Sequence, residues 1–310
     1  MGVKTHETYA DRVQKQSIRM YLYLDLSTAE LIEKMKSLSF SCIGENSHVP
    51  FNASVRGYKG AMDSDGDPWL IKPIDKKELV DHAYQEAAFY IDFALGTLAA
   101  PNIVKEIDGV PYRATKILGH ALQISSYEYF NEPFKTILAN DLVNRWMFFD
   151  EDRNPNNYLV MHDELQKPLI IVIDYNKADL RTPGMKITGN DDKFGWKRLE
   201  KTRFLTLLKP ENFANLSIES FECRLDTLMA LPRETLELIG TRTFSALSFT
   251  KDTAAEHTAT LVTNIETRRS YINDYFRTWF KPFDAARQQS KDDRYAGMGQ
   301  SFMDYYQKKM

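Results

Sequence analysis

The chain carries a polar segment, Asp152-Arg153-Asn154-Pro155-Asn156-Asn157, between a strongly apolar stretch and a short β-type run. A second apolar run, residues 169–173, ends in Asp174-Tyr175-Asn176, which places Asp174 seventeen residues after Asn157. An aspartate leaving an apolar strand suffers a desolvation penalty unless a cation meets it. Asn157 can share that cation, and an amide with a carboxylate oxygen suits Mg²⁺, which favours hard oxygen ligands and shares them with phosphate. Asp152 stands five residues before Asn157, so loop geometry can set it beside a substrate and off the metal. Upstream, Leu70-Ile71-Lys72-Pro73 ends an apolar strand on a lysine. Glu86, fourteen residues later, sits in a helix of small and aromatic neighbours. A buried lysine needs a carboxylate partner to stay charged, and a helix of that reach can fold back over its strand. Alone, each residue has a plainer reading: Asp152–Asn157 as an Asx/Pro turn, Lys72 as a solvated strand end, Glu86 as a helix-surface charge. Together, and in this order, they say more.

These residues need elements to position them. Ser27 with Glu30 three residues on forms a capping box and predicts a helix over 28–38. From 42 to 117 the chain reads as strands around one helix. Residues 51–55 precede Arg56-Gly57-Tyr58-Lys59-Gly60, a strong turn signal follows over 62–68, and 69–72 is a short strand stopped by Pro73. Ala83, Ala87, Phe89, Tyr90 and Phe93 recur at helical spacing within 77–95. Two further strands, 101–104 and 112–117, flank an Asp108-Gly109 turn. After Gly119 come an apolar helix over 134–149, the polar segment, and short strands over 158–161 and 169–173. Residues 196–280 read as helices only, and the polar last thirty residues end in a short helix over 301–309. A β-rich first part with one helix thus precedes an α-rich second part, and ligand sites commonly lie at such boundaries.

The ordered set Lys72, Glu86, Asp152, Asn157 and Asp174 resembles the protein-kinase-like fold. It departs from ordinary protein kinases: Arg153 follows Asp152, Asp174-Tyr175-Asn176 replaces Asp-Phe-Gly, and neither Gly-x-Gly-x-x-Gly nor Ala-Pro-Glu occurs. The Asp-Arg-x-x-x-Asn order and Lys72-Pro73 are similar to the phosphoinositide kinases and the HipA-like bacterial kinases. The resemblance spans roughly residues 51–174. It implies an α+β, two-lobed fold: a small β-rich N-lobe with an N-terminal extension and one key helix (1–118), and a larger helical C-lobe (119–310). It implies ATP and Mg²⁺ as cofactors. Lys72 would hold the α- and β-phosphates and Glu86 would orient it. Ser54, Val55, Arg56 and Gly57 would cover the phosphates, and Ile117, Leu118 and Gly119 would form the hinge against adenine. Asp152 would align the acceptor hydroxyl, and Asn157 and Asp174 would carry the metal. A protein Ser/Thr acceptor is favoured over a lipid, because no long basic patch adjoins the site. A nucleotide-binding pseudokinase, a lipid kinase and an AMP-transferring enzyme are the alternatives.

Composition narrows the remaining classes. In 310 residues, 40 Lys+Arg face 43 Asp+Glu, a net charge of −3, which argues against a dedicated nucleic-acid binder. The 43 % hydrophobic and 27 % charged fractions exclude disorder as the main theme. Cys42 and Cys223 read as two buried thiols, which excludes a disulfide framework and suits a cytoplasmic location. The polar N-terminus lacks a signal-type apolar region, and no run is long enough to span a membrane. The six histidines show no HxxxH or HExxH spacing, and no GxSxG occurs. Tyr271, Tyr275, Phe276, Trp279 and Phe280 recur at helical spacing and read as a packing face, with partner docking as the second reading. Composition leaves the oligomeric state open.

Overall fold

The computed structural model describes residues 18–41, 43–44, 57–129, 131–150, 155–163, 166–183, 218–247 and 249–289. Two short helices, α1 (Ile18–Tyr21) and α2 (Thr28–Ser37), lead in. The expected capping box opens α2: the Glu30 amide donates to Ser27 Oγ at 3.3 Å and the Ser27 amide donates to Glu30 Oε2 at 2.8 Å. Strands β1 (Phe40–Ser41), β2 (Lys59–Asp63), β3 (Pro68–Pro73), β4 (Asn102–Ile107) and β5 (Val110–Lys116) form one antiparallel sheet in the order β1-β2-β3-β5-β4. Helix α3 (Leu79–Ala94) connects β3 to β4. The partner of β3 is therefore 59–63, a stretch that reads as turn in the sequence, while the expected strand over 51–55 lies outside the described residues. The β2–β3 turn is built on Asp63, which accepts from the Asp65 and Asp67 amides and from Trp69 Nε1. Asp108 and Gly109 both take positive φ between β4 and β5, as a tight hairpin turn requires.

Beyond the sheet come β6 (Leu122–Gln123), α4 (Phe134–Met147), β7 (Tyr158–His162) and β8 (Pro168–Val172), with β6-β7-β8 forming a second antiparallel sheet. Residues 98–100, the link from α3 to β4, run beside β8. The Ala100 amide donates to the Val172 carbonyl and the Val172 amide to the Leu98 carbonyl, both at 2.9 Å. This seam joins the two sheets through backbone. Helices α5 (Glu219–Ala230), α6 (Arg233–Ser245) and α7 (Lys251–Gln289) complete the described fold. Tyr84 of α3 meets Phe244 of α6 edge-on at 4.9 Å and His257 of α7 at 5.7 Å. Phe276 is buried against Trp146 and Phe221, so this member of the C-terminal aromatic set is a packing residue. Cys223 is an exposed free thiol, not a buried one, because its position on α5 faces outward. No helix among the described residues is long and apolar enough to cross a membrane.

Helices α6 and α7 approach closely at Gly240. A Cβ there would stand 2.9 Å from Thr258 Cγ2 and 3.2 Å from Thr258 Cα. Gly240→Val should therefore lower unfolding stability by about 1–3 kcal/mol, the usual cost of overpacking. A urea midpoint that does not move would place the two helices further apart than this.

Candidate functional site

The β7–β8 hairpin carries the first part of the site. Tyr158 pairs with Val172, and the Ile173 amide donates to the Asn157 carbonyl at 3.0 Å. Asn157 and Asp174 therefore flank the open end of the hairpin. Asp174 has φ +63, a conformation non-glycine residues seldom adopt, and its Oδ1 accepts from the Asn176 amide at 3.1 Å. Asp152, Ser54, Val55 and Arg56 lie outside the described residues. Gly57 takes φ +82 just before Tyr58.

The larger sheet supplies cations. Lys72 stands directly opposite Arg113, so their side chains share one face of the β3–β5 pair. Trp69, Ile71 and Ala114 line the other face and are fully buried. Lys72 Nζ lies 5.5 Å and Arg113 Cζ 5.2 Å from the centre of the Tyr58 ring. Burial pulls the Arg113 pKa below its ordinary value, and Asp174 opposes that shift. Asp174 thus acts on the strand pair that bears Lys72.

Helix α3 meets this region through His82 and Gln85, and Glu86 faces elsewhere. His82 Nδ1 lies 2.8 Å from Gln85 Oε1, and Gln85 Nε2 donates to the Asn176 carbonyl at 3.0 Å. Burial lowers the His82 pKa, and Lys72 lowers it further. Glu86 is buried and accepts from the Val104 amide at 2.9 Å. Its other partners are Tyr90, Lys36 and Lys105. The expected Glu86–Lys72 pair is absent, which corrects the role assigned to Glu86. One residue turns a helix by about 100°, so Glu86 points at β4 while Gln85 points at the loop after Asp174.

The hinge is partly committed. The Ile117 amide donates to the Pro68 carbonyl at 2.9 Å, and the Ile117 carbonyl accepts from the Tyr21 hydroxyl. Both backbone polar groups of Ile117 are thus engaged inside the protein. Leu118 packs with Ala100, Met161 and Ile171, flanked by the half-buried Ala121, Leu159 and Ile173.

Behind the site lies Arg145, fully buried on α4. It reaches Asp92 of α3, Asp141 at 3.2 Å and Asp150 at 3.7 Å. Burial alone would lower its pKa; Asp141 and Asp92, with Tyr175 and Asp150 behind them, more than offset that and hold it well above its ordinary value. Tyr175 Oη donates to Asp92 Oδ2 at 2.7 Å, and Asn144 Nδ2 donates to Asp92 Oδ1 at 2.7 Å. The residue after Asp174 and the residue two before Asp152 are therefore tied to one cation. Sequence reasoning missed Arg113, Arg145, Gln85 and Tyr58. A charged residue inside the expected strand over 112–117 is the signal that could have found Arg113.

A sheet bearing Lys72, a helix beside it, a hinge, and a hairpin ending in Asn157 and Asp174 follow one another in the expected order. This is the α+β order of elements that the resemblance implied.

No protein-family profile matches the chain. Among solved structures it is similar to the proinflammatory kinase CtkA of Helicobacter pylori, at 13 % identity and a TM-score of 0.42, covering 72 % of this chain and 94 % of that one. It is also similar to a chain of the Shewanella oneidensis toxin–antitoxin complex of HipA, HipB and operator DNA. That match has 9 % identity and a TM-score of 0.35, over 82 % of this chain and 73 % of the other. Among curated proteins, Mediator of RNA polymerase II transcription subunit 5 of Scheffersomyces stipitis is 27 % identical over 106 residues, 32 % of this chain. The match spans only 11 % of that protein's length.

The position of Glu86 makes a pH prediction. Burial raises its pKa from 4.5 to about 7, against the opposing Val104 and Tyr90 contacts. Below about pH 4.5 both folded and unfolded chains hold the proton. From there to about pH 7 only the folded chain does, so stability falls as pH rises, and the loss is complete above pH 7. The fall should amount to about 1–3 kcal/mol. Glu86→Gln keeps an acceptor for Val104 and should remove this slope in urea denaturation at pH 4.5, 6 and 8. A slope equal to wild type would mean that Glu86 is ionised throughout.

Proposed function

We propose that the chain is an ATP- and Mg²⁺-dependent phosphotransferase acting on a protein Ser or Thr hydroxyl, with its lobes dividing near residue 118. The observation that supports this reading most is the meeting of two parts distant in sequence. Asp174 at the hairpin end acts electrostatically on Arg113, which stands opposite Lys72 on the β3–β5 pair. An amide and a carboxylate oxygen are hard donors, so Asn157 and Asp174 would hold a Mg²⁺ that shares its coordination with phosphate and water. When bound, that ion offsets charge on the phosphates. Lys72 places a cation on the phosphate chain, Leu118, Leu159 and Ile173 supply an apolar seat for the base, and Asp152 aligns the acceptor hydroxyl.

A second reading has a specific observation behind it. Lys72 lacks the helix carboxylate that ordinarily positions such a lysine, since Glu86 is turned to Val104. A protein that binds nucleotide without transferring phosphate fits that arrangement.

Incubation with γ-labelled ATP and Mg²⁺, read by mass spectrometry, separates the two. ADP with a phosphorylated hydroxyl supports the transferase, AMP with an adenylylated residue supports nucleotidyl transfer, and tight binding with no product supports the second reading. Asp152→Ala should keep Mg–ATP affinity within a few-fold and cut phosphate transfer by roughly 10²–10⁴, the range of a positioned general base. Asp174→Asn should weaken Mg–ATP binding more than Asn157→Ala does, because an anion contributes more to a divalent site than a neutral amide. Glu151→Ala is the control from the same segment; Asp150 is unsuitable because it is buried on Arg145. Equal losses in Asp152→Ala and Glu151→Ala would reduce the segment to a general acidic surface.

A further inference from the structure

Arg113 is the least satisfied cation in the site. Its side chain lies in the interior, about 92 % buried given an exposure of 8 %. Its Nε has no hydrogen-bond partner, and no carboxylate lies within ion-pair distance of its guanidinium among the described residues. Its charged contacts are the Tyr58 ring at 5.2 Å and the longer-range field of Asp174. Lys72, directly across the β3–β5 pair, shares the same ring at 5.5 Å.

Two like charges on neighbouring strands, one of them buried without a partner, raise the free energy of the folded chain. Structures that retain such a cost usually retain it at functional sites. Other buried arginines have protein partners for their charge: Arg268 donates to the carbonyls of Met147, Asp179 and Thr182, and Arg145 lies against Asp92, Asp141 and Asp150, although each, like Arg113, keeps an Nε without a hydrogen bond. Arg113 differs from both in having neither a carbonyl nor a carboxylate partner among the described residues. A planar guanidinium presents paired donors that match phosphate oxygens, and a lysine beside it adds a point charge. Among the described residues, Lys72, Arg113 and Asp174 sum to +1, a sign suited to a polyanion that brings its own Mg²⁺.

We infer that Arg113 and Lys72 together form a polyphosphate-binding pair, with Arg113 taking phosphate oxygens in place of a protein carboxylate. Tyr58 forms the floor that holds both cations on one side. The pair deepens the phosphotransferase reading, on which it rests only for the nucleotide part of the ligand.

The test uses the full chain, inorganic triphosphate with Mg²⁺, and titration calorimetry. Wild type should bind triphosphate. Arg113→Met should lose at least tenfold in affinity while melting at or above the wild-type temperature, because it removes an unpaired buried charge. Arg113→Lys, which keeps the charge and loses the fork, should recover part of the affinity. An unchanged affinity in a folded Arg113→Met protein overturns the inference, and so does a wild type that does not bind triphosphate. Incubation with ATP tests the other reading separately: triphosphate binding that depends on Arg113, with no phosphate or nucleotidyl transfer from ATP, upholds the pair and removes the transferase.

Discussion

The arrangement depends on one buried cation. Arg145 lies at zero exposure on α4 and gathers Asp92 from α3, Asp141 from its own helix, and Asp150 at the entry to the segment that contains Asp152. Tyr175, next to Asp174, closes the group through its hydroxyl on Asp92. Three carboxylates in the interior are tolerable only around a permanent positive charge, and arginine is the side chain that cannot lose its proton. Removing that charge would leave the aspartates buried and uncompensated, a loss of about 3–5 kcal/mol by analogy with broken buried pairs. Neither an isolated pair nor a surface bridge would link helix, loop and hairpin in this way.

A second set of contacts fixes the chain after the hairpin. Arg268 of α7 donates to the carbonyls of Met147 and Asp179 at 2.8 and 2.7 Å and to that of Thr182, with its guanidinium stacked on Phe149. Asn264, four residues earlier on the same helix, donates to the carbonyls of Leu180 and Arg181. Residues 179–182 belong to no strand or helix, so their carbonyls need partners from side chains. The long C-terminal helix supplies them. It also packs with α6 against Tyr84 of α3, so α3 is held from behind as well as by Asp92. The position of His82 and Gln85 beside Asn176 follows from these constraints.

Local signals were legible in the sequence. Ser27 and Glu30 specify their own hydrogen bonds within four residues, and Asp108-Gly109 specifies its own turn. The helix over 79–94 follows from spacing alone. Strand pairing was less legible, because β2 carries Lys59 and Gly60 and is recognised only by its partner β3. The site divides in the same way. Asn157 and Asp174 could be read because a hairpin brings them together over a short loop. Glu86 could not be placed, because a helix must be rotated by its packing before its neighbours Gln85 and Glu86 are told apart. Arg113 and Arg145 escaped for a further reason: a buried arginine looks like any surface cation until the residues around it, from Tyr58 to Asp174 and from Asp92 to Asp150, are brought in from far along the chain.

The two buried arginines differ in a way that bears on function. Around Arg145 the carboxylates outnumber the cation, and the group locks elements together. Around Arg113, among the described residues, Lys72 shares the Tyr58 ring and Asp174 acts only through its longer-range field. Glu86, which might have balanced Lys72, sits in a separate buried place on Val104, with burial pushing it toward the neutral form near pH 7. Among the described residues, the strand pair therefore keeps two cations on one face without a carboxylate in ion-pair contact with Arg113. Electrostatic stabilisation of this kind works through preorganisation, since dipoles and charges already in place need no rearrangement when an anion arrives. The rigidity required to keep two like charges on one face comes from the seam between residues 98–100 and β8 and from the Arg145 group behind it. Arg145 is held by a surplus of acid, whereas Arg113 has no carboxylate within ion-pair distance among the described residues.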